Sequence, residues 1–140
     1  MNLRELLGRN FSINHEIRKR YDRLQEYFIF RNRDAKNLFM ICVALGFKKG
    51  IRKKIDNPVG LLNTDSFTDD DLWMIASVAV KDTGDINVLT KPPEIRRIAQ
   101  EYSLTGLDEL EQLAAEYGTG QNLELALEKL SRDAIDKLKK

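Results

Sequence analysis

The stretch Asp34–Gly46, with the sequence DAKNLFMICVALG, decides the fold of this chain. Its second part, Leu38–Leu45, is apolar on every side, as expected of a segment buried all round. A buried strand can have this composition, but with its polar start the segment reaches about a dozen residues, which favours a helix. Glycine commonly follows the last residue of a helix. The stretch therefore predicts a central buried helix that is closed by Gly46.

Apolar residues recur at helical spacing on both sides of this stretch. Asn14 is a cap residue for the helix before it. After it, Thr68 and Asp71 form a capping-box pattern, and Thr105 and Asp108 repeat that pattern. Glycine, proline and polar runs make residues 47–66 an irregular stretch. The sequence predicts an all-α fold, a single compact domain of five to six helices, with a core over about 14–117 and a C-terminal amphipathic helix over about 121–138.

Composition excludes several classes of function. The 140 residues include one cysteine and one histidine, too few for an internal disulfide or a Cys/His zinc site. The chain has no glycine-rich phosphate-binding signature. No apolar run is long enough for a membrane span, and the first ten residues do not resemble a signal peptide. We expect a cytoplasmic protein that is not an enzyme and has no cofactor, metal or membrane partner.

Acidic residues give weak signals for metal chemistry. Asp69–Asp71 point about 100° apart on a helix, so capping explains them better than a shared cation. Asp82 and Asp85, with Lys91 nearby in sequence, leave open an alternative as a Mg²⁺-dependent nuclease.

Charge is distributed unevenly along the chain. Residues 1–54 contain 14 Lys/Arg and 5 Asp/Glu, a net charge of +9, whereas residues 55–140 contain 9 Lys/Arg and 17 Asp/Glu, a net charge of −8. Such asymmetry indicates a polyanion-binding face beside an acidic one. The alternative is that the two halves pack together and attract each other.

Basic residues form the strongest functional signal. Five cations fall within residues 48–54, directly after the buried helix. This density is typical of a loop that neutralises nucleic-acid phosphates, although a solvated loop at a helix C-terminus has the same composition. The predicted nucleic-acid-binding residues are Lys48, Lys49, Arg52, Lys53, Lys54, Arg18, Lys19, Arg31 and Arg33. Arg20 and Arg23 lie on the same helix face as Arg18 and Lys19.

A second DNA-binding arrangement starts from Phe11–Ile13. In ribbon-helix-helix repressors, a strand before two helices pairs with its copy in a dimer and enters the major groove. Here the strand would be short, so this alternative is the weaker one.

Two motifs resemble a small family of accessory proteins of bacterial DNA phosphorothioation (Dnd) systems. They are the turn Ala44–Gly50, ALGFKKG, and the helix start Phe67–Leu72, FTDDDL, with Thr83–Asp85 closing that helix. The likeness covers about residues 15–115. It implies an accessory role in bacterial defence, close to sulfur-modified DNA, in modification, restriction or their regulation. It implies no catalytic residues.

Together these observations lead to one preferred interpretation and one alternative. In the preferred interpretation, the chain is a non-enzymatic accessory protein that contacts DNA through the basic residues. Its acidic half then contacts another protein of the system or a second copy in a homodimer. In the alternative, the chain is a protein-interaction or regulatory subunit without DNA contact, and its basic face meets an acidic protein.

Overall fold

A computed structural model describes residues 2–26, 34–117 and 121–139. Within these ranges six α-helices dominate, which confirms the predicted all-α single domain. The helices are α1 (Leu3–Leu7), α2 (His15–Leu24), α3 (Ala35–Lys49), α4 (Asp69–Thr83), α5 (Pro92–Tyr117) and α6 (Gln121–Lys139). The strands are β1 (Asn10–Ile13) and β2 (Val59–Asn63), and 3-10 helices cover Thr64–Ser66 and Ile86–Thr90. None of these described helices is long and apolar enough to cross a membrane.

The central helix α3 exists as predicted, but it ends later. Asp34 caps its start by accepting a hydrogen bond from the backbone N–H of Asn37. The helix passes through Gly46 and ends at Gly50, whose φ of 78° is the left-handed conformation that glycine adopts readily. The predicted end at Gly46 is therefore wrong, because Gly46 serves the packing of α3 rather than its termination.

Glycines allow α3 and α5 to cross with their backbones in contact. A Cβ atom on Gly46 would lie 1.9 Å from the carbonyl oxygen of Tyr102, and one on Gly106 would lie 1.7 Å from that of Cys42. These two helices form the most extensive helix pair of the described fold. The crossing fixes the centre of the core.

Helix α5 runs without a break through the predicted cap at Thr105. Thr105 is buried, and its hydroxyl has no hydrogen-bond partner among the described residues. A cap stabilises a helix end by about 1 kcal/mol, whereas continuous helix keeps Leu107, Leu110 and Ala114 buried in the core. Burial of that apolar surface stabilises the fold more than the cap could, so the prediction of a new helix at Thr105 is wrong.

The region predicted as irregular contains a strand. β2 pairs antiparallel with β1, with Phe11 opposite Leu62. Because β1 pairs within its own chain, the ribbon-helix-helix arrangement, which needs that strand to pair with a second copy, is not formed. Phe11 packs on Phe39 and Phe67 with ring centroids 5.4 and 5.0 Å apart, so this small sheet closes one end of the core.

Helix α4 begins with the predicted capping box. The Thr68 hydroxyl accepts from the Asp71 backbone N–H, and the Asp71 carboxylate accepts from the Thr68 N–H. Burial alone would raise the pKa of Asp71, but that hydrogen bond and the ammonium of Lys36, 3.0 Å away, hold the pKa below its usual range. The Asp71 carboxylate therefore serves to cap the helix and not to bind a metal cation.

Helix α6 packs on α3 near the end of that helix. Lys137 donates a hydrogen bond of 2.6 Å to the carbonyl oxygen of Phe47, and its ammonium lies 4.5 Å from the centre of the Phe47 ring. Leu123 and Ala134 are buried on the same side. The C-terminal helix is thus anchored beside the basic residues that end α3.

Candidate nucleic-acid interface

The basic residues 48–54 form a helix end and an extended segment rather than a single loop. Lys48 and Lys49 occupy the last turn of α3, and Arg52, Lys53 and Lys54 follow Gly50 without regular structure. The backbone N–H of Lys53 donates to the carbonyl oxygen of Glu101, 3.1 Å away, so α5 holds the segment in place. The side chains therefore project from a fixed backbone.

Most of these cations pair with carboxylates from the acidic half of the chain. The partners lie on α4, α5 and α6. The pairs are Lys48 with Asp133 at 3.5 Å, Lys49 with Glu109 at 3.2 Å, Arg52 with Asp82 and Glu101 at 3.6 Å each, and Lys53 with Asp108. The charge asymmetry thus reflects, at least for these residues, two halves that pack against each other.

Asp108 joins the basic segment to helix α2. One of its carboxylate oxygens accepts from Arg20, 2.5 Å away, and the other accepts from Lys53. Arg20 also binds Glu111 on the next turn of α5, at 2.5 Å. Arg20 of α2 and Lys53 are therefore neighbours. We call the cations of α2 and of residues 48–54 together the basic face.

The titration behaviour of this junction follows from its contacts. The hydrogen bond to Glu111 raises the pKa of Arg20, against the effect of burial. Burial alone would raise the pKa of Asp108, but the hydrogen bonds from Lys53 and Arg20 lower it below its usual range. Asp108 therefore stays charged and neutralises part of the face at every pH near neutrality.

Three cations of the basic face are exposed and have no ion pair within the described parts of the chain. They are Lys19 and Arg23, one turn apart on α2, and Lys54. Arg18 lies 3.7 Å from Asp22 on its own helix. Of the predicted binding residues, Arg31 and Arg33 fall outside the residues that the structure describes. The charge available to a phosphate is thus smaller than the sequence indicates.

The carboxylates of the nuclease alternative are both engaged elsewhere. Asp82 accepts a hydrogen bond from the hydroxyl of Tyr102 and lies 3.6 Å from Arg52. Asp85 caps the second 3-10 helix by accepting from the Asn87 backbone N–H. Within residues 2–26, 34–117 and 121–139, no three His, Cys, Asp or Glu side chains are grouped as metal ligands.

The lone cysteine is a core residue. Cys42 is fully buried, and burial raises the pKa of its thiol well above its usual range. The protonated form is a poor nucleophile, so this thiol belongs to the packing of α3.

Sequence reasoning missed one exposed aromatic residue. Trp73 lies beside the buried stripe of α4, and 56% of its surface is exposed. The signal was present in the sequence, because position 73 falls off the helical spacing of Leu72, Ile75 and Ala79.

Comparison with protein-family models, with curated proteins and with solved structures finds no match to this chain. The likeness to phosphorothioation accessory proteins stays a prediction from its two short motifs.

Proposed function

We propose that this chain is a non-enzymatic accessory protein of a bacterial DNA phosphorothioation system, and that it contacts DNA phosphates through the basic face. The observation that carries the proposal is the junction at Asp108, where Arg20 of α2 and Lys53 of residues 48–54 meet at one carboxylate. Lys19, Arg23 and Lys54 are exposed and have no ion-pair partner among the residues that the structure describes.

The paired cations can contribute a smaller share. Exposed ion pairs are worth only about 0–1 kcal/mol each, so a phosphate can compete with Glu109 for Lys49 or with Asp133 for Lys48. Arg20 is held by two carboxylates at 2.5 Å and is the cation least available for exchange. Binding through this face would therefore be modest and independent of base sequence, as phosphate contacts are.

The test is DNA affinity at low salt for the 140-residue chain and a charge-reversal variant. Lys19→Glu/Arg23→Glu/Lys54→Glu should weaken binding to a plain duplex by at least about tenfold, since each change replaces a phosphate contact with a repulsion. The matched control is Lys91→Glu/Lys129→Glu/Lys139→Glu, which makes the same charge change at exposed residues outside the basic face. Equal loss in both variants would contradict a localised DNA contact. Tighter binding to a phosphorothioated duplex would support the role in that system.

A second candidate is a protein-interaction subunit whose basic face meets an acidic protein. The observation that favours it is that the cations of this face already bind carboxylates on their own chain. The same assay separates the two candidates. If neither duplex binds at low salt, and the protein forms a stable complex with the product of a neighbouring gene that the triple variant loses, the second candidate is correct.

A further inference from the structure

Helix α4 exposes a large aromatic side chain that the basic face does not use. Trp73 is more than half exposed, while the other apolar residues of the helix are buried or half-buried. Tryptophan is enriched among the residues that dominate protein–protein binding energy, and an isolated exposed tryptophan carries a cost in water.

Two shallow grooves lie on either side of Trp73. The first is lined by apolar residues of α1 with Leu72 and Leu89, and its rim holds Arg4 and Asp69. The second lies one turn further along α4, between Ala76, Ser77, Val80 and Leu138. The helix thus presents a ridge at Trp73 and a hollow just beyond it.

Opposite charges mark the two ends of this surface. Asp70 in the first turn of α4 and Lys81 in the last turn are exposed, and neither forms an ion pair with any described residue. They are eleven residues apart, about 16 Å along the helix axis.

We propose that this face binds a second copy of the chain, with the two α4 helices antiparallel about a two-fold axis that crosses them midway between Asp70 and Lys81. That axis places each Trp73 beside positions 77–80 of the other copy, where the second groove lies. The same axis places Asp70 of each copy opposite Lys81 of the other. A single two-fold rotation therefore places each Trp73 in the second groove of the other copy and pairs both charges. This is the self-complementarity that a two-fold interface requires.

This inference does not depend on the DNA proposal. The dimer surface lies on α4, and the basic face is formed by α2 and residues 48–54. A dimer would present two basic faces to one duplex, but dimerisation and DNA binding can fail separately.

The experiment is sedimentation of the 140-residue chain over a concentration series up to about 100 µM, a range in which weak dimers are populated. Trp73 is the only tryptophan in the chain, so its fluorescence reports the same event, with a shift to longer wavelength on dilution. Trp73→Ala should weaken the dimer by about 100-fold or more, because symmetry removes two contacts. Tyr117→Ala, at another half-exposed aromatic residue, is the matched control and should leave it unchanged.

Charge exchange distinguishes the two-fold arrangement from other uses of the surface. Asp70→Lys and Lys81→Asp alone should each weaken the dimer by about tenfold, because each places like charges opposite one another. The double variant Asp70→Lys/Lys81→Asp restores opposite pairs and should recover dimerisation. A monomeric wild-type protein throughout the series, or a double variant weaker than both single ones, would overturn the proposal. A wild-type monomer that captures a purified helical partner through Trp73 would overturn it in favour of a different occupant.

Discussion

Replacing Gly106 by alanine should destabilise the fold through the crossing of α3 and α5. The new Cβ atom would lie 1.7 Å from the carbonyl oxygen of Cys42. Carbon–oxygen contacts in proteins begin at about 3.3 Å, so the two helices must separate by about 1.6 Å. The neighbouring atom is backbone, and a rotamer change cannot relieve the overlap.

The magnitude follows from two opposing effects. Overpacking of this severity costs about 3 kcal/mol or more, since it also loosens the most extensive helix pair of the core. Replacing glycine by alanine inside a helix stabilises the helix by up to about 1 kcal/mol. We therefore expect the free energy of unfolding to fall by at least about 2 kcal/mol, with a decrease in Tm of about 8 °C for a domain of this size.

Thermal and urea unfolding followed by circular dichroism measure this change. The matched control is Gln112→Ala on the exposed side of α5, which should alter stability by less than about 0.5 kcal/mol. Gly46→Ala should destabilise similarly, and the double variant should lose less than the sum, because separated helices accommodate both methyl groups. A Gly106→Ala protein as stable as wild type, or more stable, would refute the reasoning.

Three further predictions concern the charged contacts. Asp108→Asn frees Lys53, while Glu111 still holds Arg20, so DNA affinity measured by fluorescence anisotropy should rise. A fall would contradict the role of the basic face, and Asp65→Asn, at an exposed carboxylate elsewhere, is the control. Folding lowers the pKa of Asp71 and of Asp108, so their contribution to stability is present above the ordinary aspartate pKa of about 3.9 and is lost as the pH falls below it. Urea unfolding between pH 6 and pH 3 should show this loss of stability. An Asp71→Asn/Asp108→Asn protein that loses as much stability over this range would exclude the two carboxylates as the cause. Lys137→Met removes the hydrogen bond to the Phe47 carbonyl and should cost about 1 kcal/mol in urea unfolding; an unchanged midpoint would show that α6 is held by its leucines alone.

Local signals predicted the helix starts well. Asn14 and Thr68 cap their helices through side-chain oxygens, as the residue types indicate, because a cap is formed within three residues of sequence. The two boundary errors, at Gly46 and Thr105, both lie at the crossing of α3 and α5. There Gly46 and Gly106 provide space rather than a turn, and that use depends on a helix that lies elsewhere in the sequence.

The basic residues were visible in the sequence, but their partners were not. Lys53 and Asp108 are 55 residues apart, and only the packing of the segment on α5 brings them together. The charge asymmetry was compatible with a free polyanion surface or with two halves that attract each other. In the structure some of these cations are paired and others are exposed: Lys53 binds a carboxylate, whereas Lys54 extends into solvent. Which cation pairs with which carboxylate cannot be read from charge counts.

The most direct test of the account is the salt dependence of DNA binding by the wild-type protein. Lys19, Arg23 and Lys54 are exposed and form no ion pair with any described residue. Three such cations predict a slope of about −3 for the logarithm of the binding constant against the logarithm of salt concentration. A slope near this value, which flattens in the Lys19→Glu/Arg23→Glu/Lys54→Glu protein, is the predicted result. No binding at low salt, or a slope that this variant leaves unchanged, would contradict the assignment of the basic face as a DNA-binding surface.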